Sequence, residues 1–110
     1  FDGSFSYSYV AEVEVSLPTV FSLEQNYPNP FNPTTSIQFS LPIDAQVKIN
    51  VYNLVGENVA EIVSGNFAAG THKVNFSANT LTSGIYFYQL DATGNDGKTF
   101  SSVKKMTLLK

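Results

Sequence analysis

Three of the chain's five prolines fall within six residues, in the stretch Asn26-Tyr27-Pro28-Asn29-Pro30-Phe31-Asn32-Pro33-Thr34-Thr35. Each proline removes a backbone donor and fixes φ at about −65°. The residue ahead of each, Tyr27, Asn29 or Asn32, is pushed out of the helical region into extended conformations. Asparagine beside proline also favours turn initiation. The segment therefore reads as a stiff, kinked corner. It carries two rings, Tyr27 and Phe31, which a flexible linker would not. Both rings are expected to be driven into a core. Tyr27, Pro28, Asn29, Pro30, Phe31 and Pro33 would form a rigid corner, with everything after Ser36 folding back onto it.

The rest of the chain alternates with period two, the pattern of half-buried strands. Phe5, Tyr7, Tyr9, Ala11, Val13 and Val15 alternate with Ser6, Ser8, Val10, Glu12 and Glu14, until Pro18 interrupts. Residues 1–18 are expected to be a strand and linker from a preceding module, separate from a domain over residues 19–110. Within this chain that segment is then expected either to be loose or, through residues 5–15, to pair with a sheet edge, including that of another copy. Phe21 and Leu23 lead into the corner as a short extended segment. Residues 36–41 alternate up to Pro42. Residues 46–52 place Val47, Ile49 and Val51 inward and Gln46, Lys48 and Asn50 outward. Asn53-Leu54-Val55-Gly56 reads as a turn, residues 58–63 as a strand and residues 65–70 as a loop. Residues 71–76 form a further strand with Val74 and Phe76 on one face.

Gly84-Ile85-Tyr86-Phe87-Tyr88-Gln89-Leu90 is the most β-prone window. It is apolar on both faces at its start, as a central strand covered on two sides would be. Gly94-Asn95-Asp96-Gly97 is a hairpin signal. In the final strand Phe100, Met106 and Leu108 share one parity and Val103 and Leu109 the other, which predicts a bulge between Val103 and Met106. No helix longer than a turn is legible. Six or seven short strands with turn signals between them predict an all-β antiparallel sandwich.

At 110 residues the chain is about one domain long and can bury roughly two-thirds of its unfolded surface. Nine Phe and six Tyr supply a core. Six lysines, no arginine and nine acidic residues give a net charge of −3, which argues against a nucleic-acid partner. The absence of cysteine excludes disulfides and thiolate metal sites. No apolar run approaches the roughly 18 residues of a membrane-crossing helix. The chain begins at Phe1 with no basic-then-apolar leader, as expected of a piece of a longer protein whose export signal would lie upstream.

Little here supports catalysis or a cofactor, and none is expected. His72 stands alone and reads as an exposed strand histidine. Glu12 and Glu14 lack the walled cleft that a carboxylate pair needs. Asp91, Asn95 and Asp96 could touch a calcium ion, but a hairpin explains Asn95 and Asp96 without one. Tyr52, Tyr86 and Phe87 could stack on a sugar, so an accessory carbohydrate-binding or structural sandwich is an alternative function; a small sandwich, however, needs such rings for its core.

The end of the chain, Lys104-Lys105-Met106-Thr107-Leu108-Leu109-Lys110, admits two readings. Its lysines could guard an edge strand against aggregation. Equally, an accessible edge could serve as a recognition tag, captured by strand addition. Physical chemistry leaves both open.

Taken together, the motifs resemble a known family. The segment from Asn26 to Thr35 resembles the opening of the type A C-terminal sorting domain of the type IX (Por) secretion system. Val51-Tyr52-Asn53-Leu54-Val55-Gly56, Ala69-Gly70-Thr71-His72, Leu81-Thr82-Ser83-Gly84-Ile85-Tyr86-Phe87-Tyr88 and the lysine-bearing end are similar to that family's later features, in its order. Asn53 stands where the family's turn carries an acid, and a turn tolerates either. The resemblance implies a seven-stranded Ig-like sandwich, a fold shared with flagellar hook-capping proteins, so fold alone does not decide function. It implies a non-catalytic signal on exported proteins of Bacteroidetes-type bacteria. Such a signal is read by the outer-membrane translocon and then removed by a sortase-like peptidase, leaving the cargo released or attached to surface lipopolysaccharide. It further implies translocon recognition through Gly84, Ile85, Tyr86, Lys104, Lys105, Leu108 and Lys110.

Overall fold

A computed structural model describes residues 18–110. The alternating segments form seven strands: β1 (Ser22–Leu23), β2 (Thr34–Leu41), β3 (Ala45–Tyr52), β4 (Asn58–Phe67), β5 (Gly70–Ser77), β6 (Gly84–Gly94) and β7 (Thr99–Leu108). They pair antiparallel as two sheets, ordered β1-β2-β5 and β4-β3-β6-β7. Period-two patterning gives each sheet one apolar face, and the two faces meet in a single core. Ile37, Phe39 and Leu41 come from the first sheet; Val47, Ile49, Tyr88, Leu90 and Leu108 come from the second. This is the expected Ig-like sandwich.

The proline corner is where the chain changes sheets. Before it, Glu24 donates its N–H to Gln38 O (2.9 Å), and Tyr27 exchanges two backbone bonds with Ser36 (2.9 Å each), all along the edge of β2. After it, Phe31 donates to Thr107 O (3.0 Å) and accepts from Leu109 N (2.9 Å), a parallel bridge to the edge of β7. Pro28 and Pro30 lie between these two sets of bonds, where no ladder donor is required.

Only one of the two corner rings turns inward. Phe31 is 2% exposed and packs against Phe76, but Tyr27 is 81% exposed. Tyr27 bridges to Ser36 in the β2 direction, and alternation sends its ring to water while its neighbour Asn26 is buried. The expected inward Tyr27 is therefore replaced by a buried amide.

Several other local expectations differ from the structure. β4 extends to Phe67, so the expected loop over residues 65–70 shrinks to Ala68 and Ala69. Ser64, Gly65 and Asn66 look loop-like by hydropathy, yet they pair with Lys48, Val47 and Gln46, and Phe67 meets Phe39 edge-on at 5.4 Å. Asn50 lies on the outward parity but is buried between Glu61 and Gln89 on the adjoining strands. No bulge interrupts β7, which runs in unbroken register from Thr93↔Thr99 to Gly84↔Leu108. Val103 and Leu109 are simply exposed on the outer face. The register shifts fall instead between β3 and β4, where Ile62 and Val59 are the unpaired extra residues. β6 is central, between β3 and β7, but only its inner face packs on the other sheet; Ile85 and Phe87 face outward. The Gly94–Gly97 hairpin forms as expected, closed by Gly94 N–H to Lys98 O (2.8 Å) and Lys98 N–H to Asp96 Oδ1 (2.9 Å). The alternation over residues 5–15 lies outside the described residues.

Candidate functional site

The two stretches singled out at Gly84 and at the lysine-bearing end are far apart in sequence and adjacent in space. The β6–β7 register sets Gly84 opposite Leu108, Ile85 opposite Thr107, Tyr86 opposite Met106 and Tyr88 opposite Lys104. Phe31 then joins Leu108 from the other side. The structure thus gathers the corner, the start of β6 and the end of β7 at one pole of the sandwich.

Within this group the roles diverge. Leu108 is fully buried and Tyr86 nearly so, and the Tyr86 hydroxyl donates to Thr82 O (2.7 Å). Gly84 opens β6 with φ +153°, a conformation L side chains rarely adopt. Lys110 does not project freely. Its Nζ donates to the carbonyls of Asn79 (2.8 Å) and Leu81 (2.6 Å), and its N–H donates to Ser83 Oγ (2.9 Å), stapling the chain end beside Gly84. Lys104 is half-buried on the inner parity, while Lys105 is exposed on the outer face beside Ile85, Val103 and Thr107. Of the seven candidate recognition residues, Ile85 and Lys105 are the side chains presented outward on the strands.

The end of β7 is clamped from its free side. Thr107 N–H donates to Asn29 Oδ1 (2.9 Å), and the Gln25 amide donates to Lys105 O (2.6 Å). Behind the clamp lies a buried polar network that the sequence reading missed. Asn26 Nδ2 donates to Thr35 Oγ1 (3.0 Å) and to Pro28 O (3.1 Å), and the Thr35 hydroxyl donates to Pro28 O (2.9 Å). Gln25 also donates to Asn26 Oδ1 (2.7 Å). The signal was present: a proline run is poor in backbone donors, so its carbonyls need side-chain partners, and Asn26 and Thr35 flank it. Tyr88 braces the corner from the core, donating its hydroxyl to Glu24 O (2.7 Å). Burial pushes the Tyr88 phenol up to about 12, opposed by a backbone hydrogen bond from Asn26 and reinforced by the Glu24 carboxylate.

The other candidates are tied into the scaffold. His72 is half-buried, not exposed: its Nε2–H donates to Ala68 O (2.7 Å), and its ring lies 5.1 Å from Phe67 and 5.5 Å from Phe39. Asp91 accepts from Ser101 and Gln89, and Asp96 from Lys98. Of the three rings considered for sugar stacking, Tyr86 is buried, and Tyr52 and Phe87 are half-buried opposite each other on the outer face.

The fold and this site define a small Ig-like sandwich whose last strand, among the described residues, lies at a sheet edge, clamped at one end by a proline corner. Residues 25–106 match the family described as the secretion system C-terminal sorting domain, and the chain belongs to that family, the C-terminal secretion signal of type IX secretion. A crystal structure of dimeric latent PorU from Porphyromonas gingivalis is similar in fold, with a TM-score of 0.66 and 14% identity over 96% of this chain. This chain spans only 10% of that one. The structure of CopC from Methylosinus trichosporium OB3b is a looser likeness, with a TM-score of 0.48 and 14% identity over 81% of this chain and 93% of that one. No curated protein matches the chain.

Proposed function

We propose that residues 19–110 act as a non-catalytic address that passes an attached protein through the type IX machinery, with residues 1–18 connecting it to its cargo. The cargo crosses the periplasm, is carried over the outer membrane to the cell surface or medium, and loses the address to a sortase-like peptidase. The observation that carries this reading is the convergence of Gly84, Ile85, Tyr86, Lys104, Lys105 and Leu108 on one β6–β7 pair, with Lys110 fastened beside it, at what is a sheet edge among the described residues, within a chain of the sorting-domain family. Gly84, Tyr86, Leu108 and Lys110 shape that pole, and Ile85 and Lys105 are the side chains a receptor meets.

The test is to fuse the 110-residue chain behind an inert reporter that carries an export leader, in a host with a type IX system. The reporter should reach the medium or the cell surface. Retention in the periplasm, or equal export of the reporter without the chain, overturns the proposal. Deleting residues 104–110 also removes the buried Met106 and Leu108, so the informative loss is that of Lys105→Glu, which leaves the core intact.

A further inference from the structure

We propose, resting on the export reading, that Leu54 and Val55 in the β3–β4 turn are the apolar anchor by which the type IX machinery holds this domain. The partner surface is then an apolar socket with a carboxylate at its rim. Leu54 is 68% exposed and Val55 78%. A lone exposed apolar side chain is ordinary. Two adjacent ones in the middle of a tight turn are not, because turns favour Gly, Pro, Asn, Asp and Ser, each for a backbone reason.

The turn itself uses neither side chain. Asn53 donates its N–H to Glu57 O (3.0 Å), and its carbonyl accepts from Gly56 N–H (3.0 Å). Its Oδ1 accepts from the N–H groups of Val55 (3.1 Å) and Glu57 (2.9 Å), and its Nδ2 donates to Glu57 Oε1 (2.8 Å). Gly56 takes up the φ of +90°. Each of these bonds comes from Asn53, Glu57 or a backbone group, so serine at positions 54 and 55 would close the same turn. The bonds also fix the turn in advance, which lowers the ordering cost a partner has to overcome.

Placement and charge point to the partner. Leu54 and Val55 border a hollow of about 270 Å³ together with Ser83, Gly84, Ile85 and Tyr86. The hollow joins the turn to Ile85, one of the two outward side chains of the candidate site. From Ile85 the apolar surface continues along β6 to Phe87, which lies opposite Tyr52 on β3 and Lys105 on β7. The Glu57 carboxylate is turned to the Asn53 amide, and Glu61 sits farther along β4, opposite Asn50. Lys105 is therefore the charge set directly beside this ridge, and an acid on the partner complements it. Burying a leucine or valine that otherwise faces water favours a complex by about tenfold or more.

The test is export of the reporter fusion carrying Leu54→Ser and Val55→Ser together. The exported fraction should fall at least about tenfold, with intact reporter collecting in the periplasm. Thermal melts of the purified chain should be unchanged. Leu54→Met with Val55→Ile keeps the surface apolar and should keep export. If the unaltered chain exports and the serine pair exports equally, this inference fails and the export reading stands. If the unaltered chain does not export, the export reading fails and takes the inference with it. A serine pair that melts at a lower temperature would place these side chains in the fold and overturn the inference. So would a dimer, seen by light scattering, or binding to phosphatidylcholine vesicles, if the serine pair abolished it: the ridge would then belong to a second copy or to lipid.

Discussion

Tyr27 and Phe31 sit four residues apart on one corner, and exchanging each for alanine isolates what the corner contributes. Phe31 is 2% exposed, its ring 6.4 Å from that of Phe76, between the two sheets. Removing a buried phenylalanine ring costs about 3–5 kcal/mol, more where the site cannot collapse. Here the backbone of Phe31 is held by Thr107 and Leu109, which limits collapse and favours the upper half of that range. Tyr27, 81% exposed, should change stability by no more than about 0.5 kcal/mol. For a domain of this size, stability falls with urea by about 1–2 kcal/mol per molar. A loss of about 4 kcal/mol therefore lowers the midpoint by roughly 2–4 M, and Tyr27→Ala by less than about 0.5 M. With no tryptophan in the chain, tyrosine fluorescence and far-ultraviolet circular dichroism are the probes. Equal midpoint shifts for the two variants, or the larger shift for Tyr27→Ala, would refute the assignment of Phe31 as the corner's anchor.

Thr35→Val keeps the shape of the side chain but strips Asn26 Nδ2 of an acceptor and Pro28 O of a donor, and should cost about 1–3 kcal/mol. In a double-mutant cycle with Asn26→Ala, urea midpoints should show a coupling of at least about 0.5 kcal/mol, and strict additivity would mean that the two groups act separately. Tyr88 has a folded pKa raised from 10.0 to about 12, so its contribution is complete below pH 10 and lost as pH rises through about 12. That contribution is roughly 2–3 kcal/mol, and Tyr88→Phe should flatten the corresponding alkaline limb; parallel limbs in both proteins would contradict it. Gly84→Ala meets no atom within 4 Å of the added Cβ, so thermal melts should register only the conformational cost of its φ, about 1–3 kcal/mol.

The sandwich was legible because its core strands alternate cleanly: Ile37, Phe39 and Leu41, then Val47, Ile49 and Val51, all reach the core as their parity demands. Parity failed where backbone pairing outweighed hydropathy. Ser64, Gly65 and Asn66 have no apolar reason to be a strand, yet β3 offers a full ladder of partners. The apparent conflict of faces in β7 arose from reading Val103 and Leu109 as core residues, when an exposed valine or leucine needs no bulge to explain it. At the site, the candidate residues lie near one another on β6, β7 and the chain end, but their surroundings were not legible. A lysine at a chain end reads as a solvent-facing charge; that Lys110 spends its ammonium on the Asn79 and Leu81 carbonyls depends on a turn distant in sequence. Likewise, attention to the rings of the corner hid its amide. Burial of Asn26 follows only once Thr35 and Pro28 are known to converge on it.

These roles bear on how a receptor can read the chain end. Met106 and Leu108 are both fully buried, and withdrawing either from the core costs at least about 2 kcal/mol. A receptor that first had to peel the last strand from β6 would therefore begin with a deficit of about 4 kcal/mol, roughly a thousandfold in affinity, before breaking the Phe31 clamp or the Lys110 staple. A receptor that meets the strand in place incurs no such deficit. It is offered Lys105 and Thr107 from β7 and Ile85 from β6 on one outer face, with the alternate residues Lys104, Met106 and Leu108 turned the other way. The two routes separate experimentally. Variants that loosen the clamp, such as Asn29→Ala, should aid a receptor that unwinds the strand and hinder one that reads the folded edge, whereas Lys105→Glu should impair the second with no change in the stability of the domain.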